Sequence, residues 1–364
     1  MLLVLSGIGI FGLATLLLAL GWMGVRHLLG RRPRWRRSLW LTLFSLPAHA
    51  LITVPLTLGF LGSRMVATRR DESAYRGPRF LPDGTWIPQS RASLKEELAA
   101  GGVAPSTAPA RSIELRAEDG VRLRAFFVPG AAPTRPVDAI LVHGLFRGGL
   151  ELETVGRFVR DLGCDVLMLE LRNHGGSERA GASFGPREAL DVRAAAAWLD
   201  GRPGAGDRRV LVFGVSLGTV AAALAAPHVQ RLRWLVLDAP VVNPLATAKR
   251  MLARGPKNQR RRFGLPEPFC TLALSSLELW AGIDLDAIRP LDALRQLDPA
   301  VRAMVVGAGA DDRVTASDVE AAWQAIPCPD AEKSLWIEPD AAHGAVWEKD
   351  PDRYRRELER LLQR

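Results

Sequence analysis

The chain has 364 residues, enough for one large domain with extra segments or for two modest domains. Its 48% hydrophobic and 24% charged residues are an ordinary globular balance, so disorder is not the default expectation. The net charge of +9 does not indicate nucleic-acid binding, because much of the excess lies beside an apolar run and no nucleic-acid-binding motif spacing occurs.

The N-terminal end predicts a membrane anchor over residues 1–63. Residues 1–25 carry no charged side chain, and as a helix they reach about 37 Å, enough for a hydrocarbon core of about 30 Å. A second uncharged run covers 38–63. We expect two transmembrane spans, or one span with an interfacial or re-entrant segment. A cleaved signal peptide fits poorly, because the first run is long and has no basic region before it.

The basic loop at 26–37 predicts the orientation of this anchor. It contains six arginines, which the positive-inside rule places in the cytoplasm. The N-terminus and everything after residue 64 then lie on the extracytoplasmic side of the cell or inner membrane. Arg64, Arg69 and Arg70 follow the second run and oppose this orientation.

After the anchor, residues 64–110 are rich in Gly and Pro and predict a linker. From Arg111 onward, a hairpin pattern around Asp119–Gly120 leads into short apolar strands that alternate with amphipathic helices. This alternation predicts an α/β domain over 111–364, with a mostly parallel sheet and helices on both faces. A small cap insert is expected at 243–299. Such sheets bind ligands at the carboxyl ends of their strands.

The segment "GVSLG" places Ser216 between a predicted strand and a predicted helix. A sharp strand-to-helix turn exposes a nucleophilic serine, and flanking glycines let the two backbones approach. His143 and Gly144 end an earlier strand, and we expect His143 to be structural. That turn directs the Leu145 N–H towards the Leu217 N–H, and together they form an oxyanion hole.

The remaining candidates follow later strands. Asp311 and Asp312 are neighbours and only one can orient a histidine; Asp238 is a third possible acid. His343 lies before the last helix and is the expected general base. The order Ser, Asp, His is the one expected for this kind of sheet.

These motifs resemble the α/β-hydrolases from Arg111 to the end, and most resemble the membrane-anchored, lysophospholipase-like and serine-aminopeptidase-like members. The resemblance also rests on "LELRNHGGS", "REALDVRAAAAWL", "GADDRVT" and "AAHG". Counting from Gly309 in the family's turn pattern selects Asp312 as the acid. Ala342 and Glu170 depart mildly from the pattern, at positions without a catalytic role.

The resemblance implies a serine hydrolase in which Ser216, Asp312 and His343 cleave carboxylic esters, lipid or other acyl esters among them, through an acyl-enzyme. A peptidase or amidase with the same residues is the alternative within the enzymes. A catalytically silent, membrane-tethered binding module is the alternative outside them. We expect no cofactor, no metal and no nucleic-acid partner, and the expected partners are a small ester or lipid substrate and the membrane.

Two further features leave alternatives open. The basic stretch around Arg260–Arg262 in the cap is either a solvated helix face or a surface for anionic lipid headgroups. The three cysteines are too few and scattered for a disulfide framework or a metal site, although Cys270 and Cys328 could pair in an oxidising compartment.

Overall fold

The computed structural model describes residues 55–62, 75, 77–87, 89, 108–254 and 265–363. These described residues fall into two compact units, a smaller one of 55–62 with 252–254 and 265–282, and a larger one made of those between 75 and 251 together with 283–363. The strands in chain order are β1 (Arg79–Phe80), β2 (Trp86–Ile87), β3 (Ala108–Pro109), β4 (Arg111–Arg116), β5 (Arg122–Val128), β6 (Val137–Val142), β7 (Asp165–Leu169), β8 (Arg209–Val215), β9 (Leu232–Asp238), β10 (Arg302–Ala308) and β11 (Lys333–Glu338).

The larger unit is built on an eight-stranded sheet with the order β11-β10-β9-β8-β6-β7-β5-β4. The strands from β6 to β11 pair in parallel, whereas β4 and β5 form an antiparallel edge. Every residue of the central strands β6 and β7 is buried, as expected for parallel strands covered on both faces. The predicted hairpin at Asp119–Gly120 is confirmed as the β4–β5 connection, and Gly120 adopts φ +86° there.

Helices alternate with these strands, which confirms the predicted α/β class. They are α1 (residues 55–62), α2 (Glu153–Asp161), α3 (Pro186–Asp200), α4 (Leu217–Ala225), α5 (Pro244–Arg254), α6 (Phe269–Ala281), α7 (Pro290–Arg295), α8 (Ala316–Ala325), α9 (Val346–Lys349) and α10 (Pro351–Gln363). Helix α3 packs against α4, and α10 packs against β10. The connection between β9 and β10, predicted as the cap insert, contains α5, α6 and α7.

The smaller unit joins α1 to α6. The Ser276 hydroxyl donates a hydrogen bond to the Leu56 carbonyl (2.9 Å), and the rings of Phe60 and Trp280 lie edge to face with centroids 5.1 Å apart. Leu279 and Trp280 remain 79% and 61% exposed, although both are large and apolar. This unit therefore presents an apolar surface at the end of α6.

The predicted membrane spans lie mostly outside the described residues. Residues 1–54, with the first run and the basic loop, are not described, and of the second run only 55–62 are. Among the described helices, none combines the length and the apolar character needed to cross a bilayer. The basic cap residues Arg260–Arg262 also lie outside the described ranges.

The described part of the segment predicted as a linker belongs to the larger unit. Tyr75 and Trp86 are buried, and both donate hydrogen bonds to the Glu153 carboxylate (2.5 Å each). Strands β1, β2 and β3 form a small antiparallel sheet in this segment. Two-residue strands are too short to leave a periodic pattern, so the sequence did not reveal them.

Candidate active site

Ser216 lies at the turn between β8 and α4, where the sequence predicts a nucleophile. Its backbone has φ 54° and ψ −119°, a conformation that costs a non-glycine residue free energy. The Ser216 N–H donates to the Asp238 carbonyl, and the Ser216 carbonyl accepts from the Thr219 N–H (2.9 Å each). These bonds hold the serine at the N-terminal end of α4, where an anion is favoured.

The two glycines around Ser216 are required by close backbone contacts. A Cβ atom on Gly214 would lie 2.4 Å from the Gly218 carbonyl oxygen. A Cβ atom on Gly218 would lie 2.3 Å from the Val142 carbonyl oxygen. The glycines therefore let the start of α4 approach both its own strand β8 and the end of β6, as the motif predicts.

His343 lies in the loop after β11 and connects two other side chains. Its Nε2 atom lies 2.8 Å from Ser216 Oγ, and its Nδ1 atom lies 2.6 Å from Asp311 Oδ2. The three side chains form one hydrogen-bonded chain. Such a chain can take the proton from the serine hydroxyl and stabilise the imidazolium that results.

Asp311 is the carboxylate in this chain, so the prediction of Asp312 is corrected. The Asp311 side chain is buried, and its Oδ1 accepts N–H groups from Arg313 (2.8 Å) and Val314 (3.2 Å). Burial raises the pKa of Asp311, but the hydrogen bond and charge of His343 outweigh it and lower the pKa below its ordinary value. Asp312 points elsewhere, and its Oδ1 lies 3.9 Å from Arg313 Nε.

Asp238, the third candidate acid, contacts a different partner. Its Oδ2 accepts the hydroxyl of Tyr354 from α10 (2.8 Å), and the side chain is completely buried. Burial, with the nearby carboxylates of Glu151 and Asp311, raises the pKa of Asp238 to about 7. Asp238 therefore supports the serine turn through its backbone and does not contact His343.

The two predicted oxyanion donors lie in adjoining turns. A Cβ atom on Gly144 would lie 3.3 Å from Ser216 Cβ, so the turn after β6 passes directly beside the serine. Within the described chain, neither the Leu145 N–H nor the Leu217 N–H has a hydrogen-bond partner. Their role stays a prediction.

His143 is buried, as predicted for a structural residue. Burial lowers its pKa to about 3, so the ring is neutral. Its Nδ1 lies 2.8 Å from the Gly144 carbonyl oxygen. Two further residues contact this turn, Glu151 and His174, and sequence reasoning assigned neither a role, although His174 lies in the quoted segment "LELRNHGGS".

Three further observations concern side chains that the sequence analysis discussed. In the described residues, no group of three or more His, Cys, Asp or Glu side chains could hold a metal ion. Cys164, Cys270 and Cys328 are free and buried. Glu170, where the resembled pattern has aspartate, pairs with Arg124 (2.5 Å) and accepts the Gly176 N–H (2.7 Å).

Comparison with known proteins identifies the family to which the chain belongs. The model of the Alpha/beta hydrolase family matches residues 139–363, more than half of the chain. The protein therefore belongs to the alpha/beta hydrolase family. The membrane-anchored, lysophospholipase-like subtype expected from the sequence is a finer assignment that this match does not make.

Individual relatives are more distant. The chain is 33% identical over 128 residues to the Arabidopsis thaliana alpha/beta hydrolase domain-containing protein WAV2, a match over 35% of this chain and only 41% of that protein. The Pyrococcus furiosus esterase Pf2001 is 19% identical, with a TM-score of 0.57 over 79% of this chain and 98% of the esterase. The alpha/beta hydrolase GrgF from Penicillium sp. sh18 is 17% identical, with a TM-score of 0.55 over 70% of this chain and 99% of that one. The likeness to both structures is one of fold.

Proposed function

We propose that the protein is a serine hydrolase that cleaves carboxylic esters through an acyl-enzyme. The observation that carries this proposal is the His343 ring, which lies within hydrogen-bond distance of both Ser216 Oγ and Asp311 Oδ2. In this family fold, a serine on a strained turn with a histidine and a buried carboxylate is the arrangement needed for nucleophilic acyl transfer.

The proposed reaction assigns one role to each group. Ser216 Oγ attacks the acyl carbonyl carbon while His343 Nε2 accepts its proton, and Asp311 stabilises the imidazolium. The N–H groups of Leu145 and Leu217 donate to the oxyanion, a contribution of about 3 kcal/mol for each donor. His343 then gives the proton to the leaving alcohol, and a water molecule activated by the same ring releases the acid.

Esters are favoured over amides as substrates. The support is the similarity in fold to a solved protein named as an esterase. A lipid or other acyl ester suits the proposed membrane location.

We further propose that the N-terminal segment attaches the protein to a membrane, with the hydrolase domain on the extracytoplasmic side. The uncharged runs and the six-arginine loop support this location. The contacts of α1 with α6 and the exposed Leu279 and Trp280 add an apolar surface beside the second run. Tryptophan at such a surface is typical of the membrane–water interface.

The first experiment is labelling of the detergent-solubilised full chain with a fluorophosphonate probe. We expect labelling of the wild type, loss of labelling in S216A and H343A, and unchanged labelling in the control S112A, which removes an exposed serine hydroxyl on β4. A folded wild-type protein that is not labelled would indicate the silent binding module.

The second experiment compares leaving groups. Purified protein is assayed on p-nitrophenyl esters of increasing chain length and on aminoacyl p-nitroanilides. Ester turnover that exceeds anilide turnover supports the proposal, and the reverse order would indicate a peptidase or amidase.

The location is tested separately in intact cells. We expect the protein to resist carbonate extraction, and we expect protease added outside the cytoplasmic membrane to digest the domain after residue 64. Full release of the protein from membranes by carbonate would contradict the proposed membrane anchor. If the domain still resists the protease after the outer layers of the cells have been opened, the proposed extracytoplasmic orientation is wrong.

A further inference from the structure

The turn that carries Leu145 is connected to the turn after β7 by two buried histidines. His143 directly follows β6, and its Nε2 accepts the Leu171 N–H of the second turn (3.1 Å). His174 belongs to the second turn, and its Nε2 accepts the Phe146 N–H of the first (3.1 Å). The two turns therefore exchange one backbone hydrogen bond in each direction, each through a histidine ring.

Both rings have the same tautomer, which the contacts of their other nitrogens determine. His143 Nδ1 lies 2.8 Å from the Gly144 carbonyl oxygen, and His174 Nδ1 lies 2.8 Å from the Arg172 carbonyl oxygen. A carbonyl oxygen only accepts, so each Nδ1 carries the proton and each Nε2 is free to accept. The rings contact each other edge to face, with centroids 4.8 Å apart, and both are buried.

The second turn is itself held tightly. Glu170 accepts the Gly176 N–H and pairs with Arg124 through two hydrogen bonds (2.5 and 2.9 Å). Asn173 and Gly175 adopt positive φ angles of 64° and 50°. His174 lies between these two residues, so the backbone that carries its ring is fixed on both sides.

The first turn needs such support because its backbone is strained. Phe146 adopts φ +61°, which is unfavourable for a residue with an aromatic side chain. On the other side of Leu145, the Gly144 N–H donates to Glu151 Oε2 (2.8 Å). The N–H groups before and after Leu145 are thus both bound by side chains, whereas the Leu145 N–H has no partner in the described chain.

We propose that His174 is a positioning residue for the oxyanion hole: by accepting the Phe146 N–H, it holds the strained turn so that the Leu145 N–H faces the acyl oxygen at Ser216. This inference rests on the proposed function for its effect on rate. The geometric part, that His174 fixes the Phe146 turn, does not depend on activity. Glu151 holds the same turn from its other end.

Two conservative substitutions separate this role from general packing. Glutamine at 174 reaches the position of Nε2 with its carbonyl oxygen and keeps the acceptor for Phe146. Asparagine reaches only the position of Nδ1, so it keeps a donor for the Arg172 carbonyl but loses the acceptor. Both side chains are polar and smaller than the imidazole ring, so simple loss of packing affects both.

The test measures amide hydrogen exchange and steady-state kinetics of H174Q and H174N in the full-length protein. We expect exchange in the 145–148 segment of H174N to rise at least about tenfold over wild type, and exchange in H174Q to stay near the wild-type rate. For p-nitrophenyl butyrate we expect kcat of H174N to fall about 10- to 100-fold with KM nearly unchanged, because a misplaced oxyanion donor acts on the transition state. H174Q is expected to retain most of kcat.

The outcomes distinguish the two proposals. Equal exchange of the 145–148 segment in H174N and H174Q overturns the positioning role, whatever the activity. Faster exchange in H174N with an unchanged kcat also overturns it, because the turn then does not matter to the rate. If H174N and H174Q show the expected exchange pattern but the wild-type protein hydrolyses no ester, the proposed function is contradicted and His174 remains the support of the turn. H228L, at an exposed histidine, is the control for substitution of a histidine and is expected to match wild type.

Discussion

His343 Nδ1 lies 2.6 Å from Asp311 Oδ2, and the neighbouring Asp312 makes no such contact. The distinction is set by the turn after β10. The N–H groups of Arg313 and Val314 both donate to Asp311 Oδ1, which leaves Oδ2 directed to the histidine. The hydrogen bonds of this turn therefore decide which of the two adjacent carboxylates orients the imidazole.

We therefore predict that the two aspartates differ sharply in their effect on catalysis. D311N should lower kcat on the order of 10⁴-fold, because an amide cannot stabilise the imidazolium and favours the wrong tautomer. D312N should stay within about threefold of wild type. The measurement is kcat/KM for a p-nitrophenyl ester in both variants. Comparable losses in the two would show that the turn rearranges when substrate binds.

Asp238 offers a prediction about pH. Its pKa is raised to about 7 by burial and by the carboxylates of Glu151 and Asp311, so the folded protein holds this proton from pH 4 to 7 while the unfolded chain releases it. The folded state binds more protons in that window, so this group's contribution to stability falls as pH rises through it. D238N cannot ionise, so its Tm relative to wild type should increase from pH 4.5 to pH 7.5, the range over which the wild type loses this contribution.

Activity of the same variant tests the alternative acid. D238N should retain kcat within a few-fold, because Asp238 contacts Tyr354 and not His343. A loss as large as that of D311N would assign Asp238 to the catalytic machinery. Y354F is the companion variant, and it should be less stable by about 1–3 kcal/mol because it leaves a buried acceptor without its donor.

Glu153 provides a second pH-dependent group, away from the site. Burial raises its pKa from 4.5 to about 7, although Tyr75 and Trp86 donate to it. The folded state again holds the proton longer than the unfolded chain, so this contribution to stability is lost as pH rises from about 4.5 to 7. The shift corresponds to about 3 kcal/mol.

The variant E153Q should remove this dependence. A glutamine can accept from Trp86 while the Tyr75 hydroxyl reverses to accept from its amide. The difference in Tm between E153Q and wild type should increase with pH over this window, measured in the same detergent at pH 5 and pH 7.5. A constant difference would mean that Glu153 ionises in the fold as it does in water.

The serine turn predicts a clear steric effect. A Cβ atom on Gly218 would lie 2.3 Å from the Val142 carbonyl oxygen, and that backbone cannot move without displacing β6. G218A should lose about 1–3 kcal/mol of stability or more, and fluorophosphonate labelling should fall with it. G206A is the matched control, because a Cβ atom there meets nothing within 4 Å and it should behave as wild type.

The parts of the fold that the sequence predicts correctly are those with a periodic or local signal. The strand–helix alternation, the hairpin at Asp119–Gly120 and the "GVSLG" turn all depend on residues close together in the chain. Ser216 and His343 could be singled out because each follows a predicted strand. The packed segment around Tyr75 and Trp86 escaped prediction because its partner, Glu153, lies far along the chain and its strands are only two residues long.

The choice between Asp311 and Asp312 needed information of another kind. Both residues are aspartates after the same strand, and only the hydrogen bonds of Arg313 and Val314 separate them. His174 was similarly hidden, because its effect depends on two left-handed residues in its own turn and on a backbone N–H of a different turn. Composition and spacing do not encode such pairings between loops.

The distance along the chain between the reacting groups has a consequence for biosynthesis. Ser216 and His343 are 127 residues apart in sequence, and Tyr354, which holds Asp238 beneath the serine, comes later still. A growing polypeptide therefore carries a serine without its base until nearly the whole domain has left the ribosome. Under the proposed function, the nascent chain is inert towards acyl groups in the membrane beside it, and reactivity begins only when the domain closes.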